Sequence, residues 1–392
     1  KTAYEIVDCD WSSDVCSSDL LISSFRGKMR ILLKGLFGLA LVFGLAFSVQ
    51  AEEKVINVFN WSDYIGENTL ANFTKETGIK VNYDVYDSNE IAEAKLLAGS
   101  SGYDIVVPTV APYLARLIQA GAVQKLDKSK IPNLKNLDPE LMAQVTTSDP
   151  GNQYGAIYQW GTTGIGINVD KVKARLGHIP NSFDLLFDPE TVAKLQDCGV
   201  TVLDSADEVL DIVANYLGGD PNGEDKAMLK KVENQMMKVR KYYRYFHSSN
   251  YINDLANGEI CVALGWSGDV FQARDRAAEA DAGVKVDYII PKEGTQIWFD
   301  VLAIPAGAPH PENAHTFIDY ILRPEVMSGI TNYVWYANAV PASKKTTDPD
   351  ILADPAIYPS DEVKSRLFAG VVKSAKFTRL EVRSWNRIRT GQ

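Results

Sequence analysis

The chain has 392 residues, 46% of them hydrophobic and 23% charged, with 28 Gly and 17 Pro; this composition suits a globular protein large enough for about two domains and excludes a disordered or collagen-like one. Forty Lys and Arg against fifty Asp and Glu give a formal charge of −10, the wrong sign for neutralising nucleic-acid phosphates or adhering to anionic lipid, so no nucleic-acid partner is expected. A cationic partner suits the charge better.

Residues 1–28 precede the first plausible start, Met29, and the run from Asp10 to Asp19 has no apolar periodicity to fold with. That segment resembles translated adapter sequence and is read as non-native, leaving Cys9 and Cys16 without a role. Met29, Arg30 and Lys34 then form a short basic stretch, followed by an uncharged run from Gly35 to Phe47 and the small-x-small ending Val49-Gln50-Ala51. Residues 29–51 therefore predict a secretory signal peptide cleaved after Ala51 and a periplasmic destination. The apolar centre is shorter than the roughly 20 residues a membrane-spanning helix needs. No Cys follows Ala51, which argues against a lipid anchor. Removing residues 1–51 takes away five basic and five acidic side chains and leaves the charge at −10.

From Glu52 onward the pattern alternates between strand and helix. Val55 to Phe59 alternate as a short strand; Glu67 to Glu76 carry Leu70 and Phe73 at helical spacing, and Gly78 supplies a C-terminal cap. Ile79 to Tyr86 alternate again. Asp87-Ser88-Asn89 caps a helix over Ile91 to Ala98 that Gly99 ends, and Tyr103 to Val107 make a third strand closed by Pro108. Gly164 to Val169, Val200 to Leu203 and Ile260 to Gly265 are later strands, separated by helical stretches such as Leu229 to Tyr243. The alternation predicts an α/β architecture of parallel sheets covered by helices, and about 340 residues predict two such sheets. The remaining cysteines, Cys198 and Cys261, favour one disulfide in an exported chain, with two buried free thiols as the alternative. A metal site would need more ligands than this pair offers.

Several catalytic and cofactor motifs fail on spacing. Gly161, Gly164 and Gly166 do not make a dinucleotide fingerprint, and no Gly-rich loop ends in Gly-Lys-Ser/Thr. His310 and His315 sit among Pro309, Pro311 and Glu312 where a loop enters a helix, and read as a surface cap rather than metal ligands. Gly265-Trp266-Ser267-Gly268 lacks the second spacer of a nucleophile elbow. No acid–base constellation stands out, and no catalysis, cofactor or metal is expected.

Aromatics and carboxylates do recur together where strands run out: Asn60-Trp61-Ser62-Asp63-Tyr64, Trp266-Ser267-Gly268-Asp269, Trp298-Phe299-Asp300, and Val334-Trp335-Tyr336-Ala337-Asn338. In open α/β sheets ligands bind beyond the carboxyl ends of strands, so the four segments can converge on one cleft. Any one Trp there is ordinarily core packing and any one Asp a helix cap, as Asp269 is placed to be; four together in an acidic exported chain point to a site. Its chemistry suits an elongated organic cation. Aromatic faces attract ammonium groups, at about 0.5–2 kcal/mol per contact, and cover methylenes, while carboxylates fix the charged ends.

The runs Val58-Phe59-Asn60-Trp61-Ser62-Asp63-Tyr64-Ile65, Phe73-Thr74-Lys75-Glu76-Thr77-Gly78-Ile79-Lys80-Val81, Tyr245-Phe246-His247-Ser248-Ser249 and Tyr251-Ile252-Asn253-Asp254-Leu255-Ala256-Asn257-Gly258 resemble the periplasmic polyamine-binding proteins of bacterial ABC transporters, the putrescine-binding branch above all. The resemblance spans essentially all of Glu52 to Gln392. It implies a bilobed periplasmic-binding-protein fold of type II: two α/β lobes joined by crossing strands, with the ligand cleft between them. The lobes would comprise residues 52–157 with about 282–325, and residues 158–281 with about 326–392. The resemblance further implies an aromatic box of Trp61, Tyr64, Trp266, Trp298 and Tyr336. The acids would be Asp63, Glu208, Asp269 and Asp300, with Ser62 and Thr109 as hydrogen-bonding neighbours. It also pairs Cys198 with Cys261. Without it, Glu208 reads as one of several acids at a helix N-terminus, and Asp207 keeps that reading.

The implied partners are a polyamine, putrescine or spermidine, and an inner-membrane permease with a separate ATPase; the chain itself would be a monomer. Two departures bear on ligand length. Putrescine-binding relatives carry Ser where this chain has Thr109 and Phe where it has Trp298, and a Trp there resembles the spermidine binders. Yet Ser205 stands where those binders place an extra acid, and a neutral hydroxyl cannot balance a third ammonium. The alternatives of another class are an exported enzyme acting on amines and a receptor that presents polyamine to a sensory membrane protein.

Overall fold

The computed structural model of the protein describes residues 53–392. The upstream segment, the signal peptide and the cleavage after Ala51 lie outside those residues.

The strands are β1 (Val55–Trp61), β2 (Lys80–Tyr86), β3 (Ile105–Val106), β4 (Val123–Gln124), β5 (Gly155–Asn168), β6 (Val200–Val202), β7 (Tyr243–Phe246), β8 (Val262–Trp266), β9 (Val286–Ile289), β10 (Ile297–Pro305) and β11 (Ala337–Asn338). β1 lies parallel to β2 on one side and β3 on the other; β10 joins β3 antiparallel, and the first half of β5 joins β10 antiparallel. The ladder then changes company within one strand. Thr162 is paired with Ile297 of β10, and the next residue, Thr163, with Trp266 of β8. From there β8, β6 and β7 form a second parallel run, with β9 on the other edge of β5. β5 therefore belongs to two sheets. The chain returns from the second to the first between Ile289 and Ile297.

β5 is buried along all 14 residues, so it has no alternating face and its aromatic and β-branched residues, among them Ile157, Tyr158, Trp160, Thr162, Thr163, Ile165 and Ile167, carry the strand preference instead. Its glycines make room. A Cβ at Gly161 would stand 2.8 Å from the Trp298 ring, so a bare backbone lets that indole lie across the crossing strand.

Helices cover both sheets, and several begin at a side-chain cap. The helix Thr69–Thr77 ends at Gly78 in the left-handed conformation (φ 73°), as its sequence predicts. The helix Asn89–Leu97 is capped by Ser88, whose hydroxyl accepts from the Ile91 N–H. Phe73 and Phe317 stack edge-on beneath the first sheet, and Leu255, Leu264 and Phe271 are fully buried beneath the second. Each such side chain contributes about 1.5–3 kcal/mol by leaving water. Cys198 and Cys261 form a disulfide with Cα atoms 5.4 Å apart, tying the entry of β6 to that of β8. His310 and His315 correct one expectation: they face inward. His310 meets Asp104 at 3.0 Å and His315 Nε2 accepts from the Asp127 N–H at 2.9 Å. Among the described residues no helix is long and apolar enough to cross a membrane, and no group of three or more His, Cys, Asp and Glu could hold a metal ion.

Candidate binding cleft

Trp61 closes β1 and Trp266 closes β8, so the carboxyl ends of the two parallel runs each present an indole to the same space. The rings meet edge to face, 5.2 Å apart at 73°. Trp61 Nε1 donates to the Val107 carbonyl at 2.8 Å, which fixes the ring in the cleft wall. Deeper in, Tyr64 meets Tyr336 at 5.0 Å and Trp298 meets Tyr336 at 5.4 Å, both near edge-on. These faces bound one narrow cleft.

Three carboxyls project into this apolar space, each clamped by side-chain donors. Asp269, in the first turn of the helix Ser267–Glu279, accepts from Tyr336 Oη at 2.6 Å and Tyr251 Oη at 2.8 Å. Glu208, in the first turn of the helix Ala206–Tyr216, accepts from Trp266 Nε1 at 3.2 Å and from the Thr163 hydroxyl. Asp300, on β10, accepts from Thr109 Oγ1 at 2.7 Å, and Thr109 is itself held by Asn89 Nδ2 at 2.9 Å. They are 5%, 8% and 3% exposed in that order. Burial pushes each carboxyl up to about 7, against the pull of these hydrogen bonds. Three acids raised this way form a site whose electrostatics improve when a cation enters. An ammonium between them restores the ionised carboxylates and is itself compensated for lost hydration.

Of the residues expected at the site, Trp61, Ser62, Tyr64, Thr109, Glu208, Trp266, Asp269, Trp298, Asp300 and Tyr336 line this one cleft. Asp63 does not, and is corrected to a rim position. Its backbone takes a left-handed turn (φ 54°) that aims the half-exposed carboxylate away, onto Arg276 at 2.6 Å. Asn89, Tyr113, Asp207 and Gln296 line the cleft without having been singled out for it. Asn89 was readable as part of a capping run; because Ser88 supplies the cap, the Asn89 amide is released to bind Thr109 twice. Nothing in the local sequence marks Tyr113. Asp207 is in the helix first turn, where its sequence puts it, but its carboxylate also reaches Arg116 at 3.2 Å across the cleft.

The sequence pattern of the family described as bacterial extracellular solute-binding protein matches residues 68–359. The putrescine-binding periplasmic protein PotF of Escherichia coli (strain K12) is 49% identical, covering 92% of this chain and 98% of its own. The putrescine-binding periplasmic protein SpuD of Pseudomonas aeruginosa (strain UCBPP-PA14) is 51% identical with the same coverage. Among solved structures, the spermidine/putrescine ABC transporter substrate-binding protein PotD of Streptococcus pneumoniae superposes with a TM-score of 0.69 at 26% identity, over 86% of this chain and 99% of that one.

Proposed function

The chain belongs to the bacterial extracellular solute-binding proteins, and from that premise we propose that it is a periplasmic receptor. It captures putrescine or a close polyamine relative and delivers it to an inner-membrane ABC permease driven by a separate ATPase. The observation that carries the reading is the set of three buried carboxyls, Glu208, Asp269 and Asp300, inside one aromatic-walled cleft. Carboxylates hold the ammonium ends, and Trp61, Tyr64, Trp266, Trp298 and Tyr336 cover the methylenes between. The names of PotF and SpuD favour the diamine.

In this reading the two sheets belong to two lobes, divided by strand pairing at Thr162/Thr163 and again between Ile289 and Ile297, about five and about ten residues beyond the limits expected near 157 and 281. The segment after residue 326 is shared: β11 pairs with the first half of β5, while the helix Ala375–Thr390 lies against the second lobe, where Trp385 donates to Asp204. Ligand contacts from both sides, Trp61 and Asp300 on one and Glu208 and Asp269 on the other, supply the differential affinity that closure requires. The receptor acts as a monomer and returns its ligand chemically unchanged.

Isothermal titration of residues 52–392, refolded to strip bound amines, against putrescine, cadaverine, spermidine, spermine and agmatine tests the reading, with mass analysis of the recovered amine. Tight binding of one unmodified polyamine is expected. Absence of binding across the panel overturns the reading, and chemical conversion of the amine would make the chain an enzyme.

A further inference from the structure

One corner of the cleft holds charge that a diamine does not use. Arg116, in the helix Ala115–Gln119, is gripped bidentately by Glu93, at 2.7 and 2.9 Å, and turns its remaining terminal nitrogen to Asp207 at 3.2 Å. The guanidinium lies over the Tyr113 ring, 4.5 Å from its centroid. Tyr113 is 4% exposed and lines the cleft, and its hydroxyl faces the buried Glu90 carboxyl without an aligned hydrogen bond. A buried hydroxyl left unpaired is costly, so a group that bonds to it on binding gains more than an ordinary contact would. Asp207 faces two spaces at once: the cleft, and a small neighbouring cavity that shares Pro112 and Gln296 with it. The Lys373 ammonium on that cavity's wall is already held by Asp211 and Glu381. Glu90, buried close by, is a further acid in the corner, pushed up to about 7 by its burial and next by Asp207. The corner thus contains more carboxyls than the single guanidinium balances.

We infer that Arg116 sets the length limit of the ligand: by holding Asp207 it closes this end of the cleft to a third ammonium, and Asp207 with the Tyr113 hydroxyl forms the subsite that a longer polyamine occupies when Arg116 yields. The inference rests on the polyamine reading of the same cleft. Because Arg116 keeps its bidentate grip on Glu93, releasing Asp207 leaves the guanidinium paired, and the contest is between one protein cation and one ligand cation for a single carboxylate.

The test is titration of putrescine and spermidine into the wild-type protein and three variants. Arg116→Gln keeps the first methylenes of the side chain and removes the charge; spermidine is expected to gain about tenfold or more over putrescine. Adding Asp207→Asn to Arg116→Gln is expected to return that ratio to its wild-type value. Tyr113→Phe removes one hydroxyl and keeps the ring, so it tests the subsite even where Arg116→Gln folds poorly; it is expected to weaken spermidine several-fold more than putrescine. Equal weakening of both amines in Arg116→Gln would make the pair a closure latch only and overturn the inference. So would a ratio shift that survives Asp207→Asn, or a Tyr113→Phe variant that treats both amines as wild type does. If the wild-type protein binds neither amine, the functional reading fails, and this inference with it; binding of putrescine with unmoved ratios overturns this inference alone.

Discussion

Tyr336 and Asp269 bond to each other twice. The Tyr336 hydroxyl donates to Asp269 Oδ1 at 2.6 Å and accepts from the Asp269 backbone N–H at 3.1 Å. The same tyrosine ring forms part of the cleft's aromatic wall, and a Cβ on Gly268 would stand 2.4 Å from it. In the proposed polyamine complex one residue therefore both covers the ligand's apolar stem and aims the carboxylate that receives its charge.

Removing the hydroxyl separates the two duties. Tyr336→Phe is expected to weaken polyamine binding by about 0.5–1.5 kcal/mol, the ordinary worth of the lost bond, while Asp269→Asn is expected to cost about 1.5–3 kcal/mol through loss of a charge-assisted contact. Titration calorimetry checks both; wild-type affinity in Asp269→Asn would take that residue out of the site.

The raised carboxyls make binding depend on pH, and the sign follows from which form the ligand prefers. Glu208, Asp269 and Asp300 are held up to about 7 by burial, and an ammonium binds the ionised form. Affinity is therefore expected to fall by at least about tenfold from pH 8 to pH 6, with protons released on binding near neutrality. Titration in buffers of different ionisation enthalpy counts those protons. Without ligand the sign reverses: folded-state values above the unfolded ones mean that these groups favour the folded protein at low pH, and that contribution is lost as pH rises through about 7.

The rim pair Asp63 and Arg276 spans the cleft mouth at 2.6 Å, with both side chains more than a third exposed. Solvent screening limits it to about 0–1 kcal/mol, so Asp63→Asn is expected to weaken binding far less than Asp269→Asn, and the small Asp63→Asn effect is expected to vanish in high salt. An effect as large as that of Asp269→Asn would return Asp63 to the ligand-contacting set.

The Cys198–Cys261 bridge closes a separation of 63 residues. Loop-closure entropy assigns it about 4 kcal/mol. A Cys198→Ser, Cys261→Ser double variant is expected to melt well below the oxidised protein yet keep near-normal polyamine affinity while folded, because the bridge ties the starts of β6 and β8, at the far end of those strands from the cleft. Thermal melts and titration together check this.

Much of this was legible from sequence where burial is one-sided. β1 and β2 showed their alternation, and Gly78 announced the end of its helix. β5 and β10 did not, because strands buried on both faces lose alternation. Only the tail of β5, from Gly164, was recognised, and the residues that join the sheets were missed. In the cleft, Trp61, Trp266 and Asp269 followed from their place after strands. Glu208 stood out only by resemblance, because an acid in a helix first turn is ordinary. Asp63 was misplaced because one positive φ decides where its side chain points, and Tyr113 was invisible because its role depends on Arg116 folding over it.

The chain crosses between the two sheets three times: along β5, through the residues 290–296, and between β11 and the helix Ala375–Thr390. A body fastened at one point can swivel and tilt; each further fastening removes freedom and leaves a hinge. In the proposed closure the groups that meet, Trp61 with Trp266, Arg116 with Asp207 and Asp63 with Arg276, are carried on opposite sides of that hinge. Their alignment is then favoured by the frame that carries them, because the crossings limit how far one side can slide past the other.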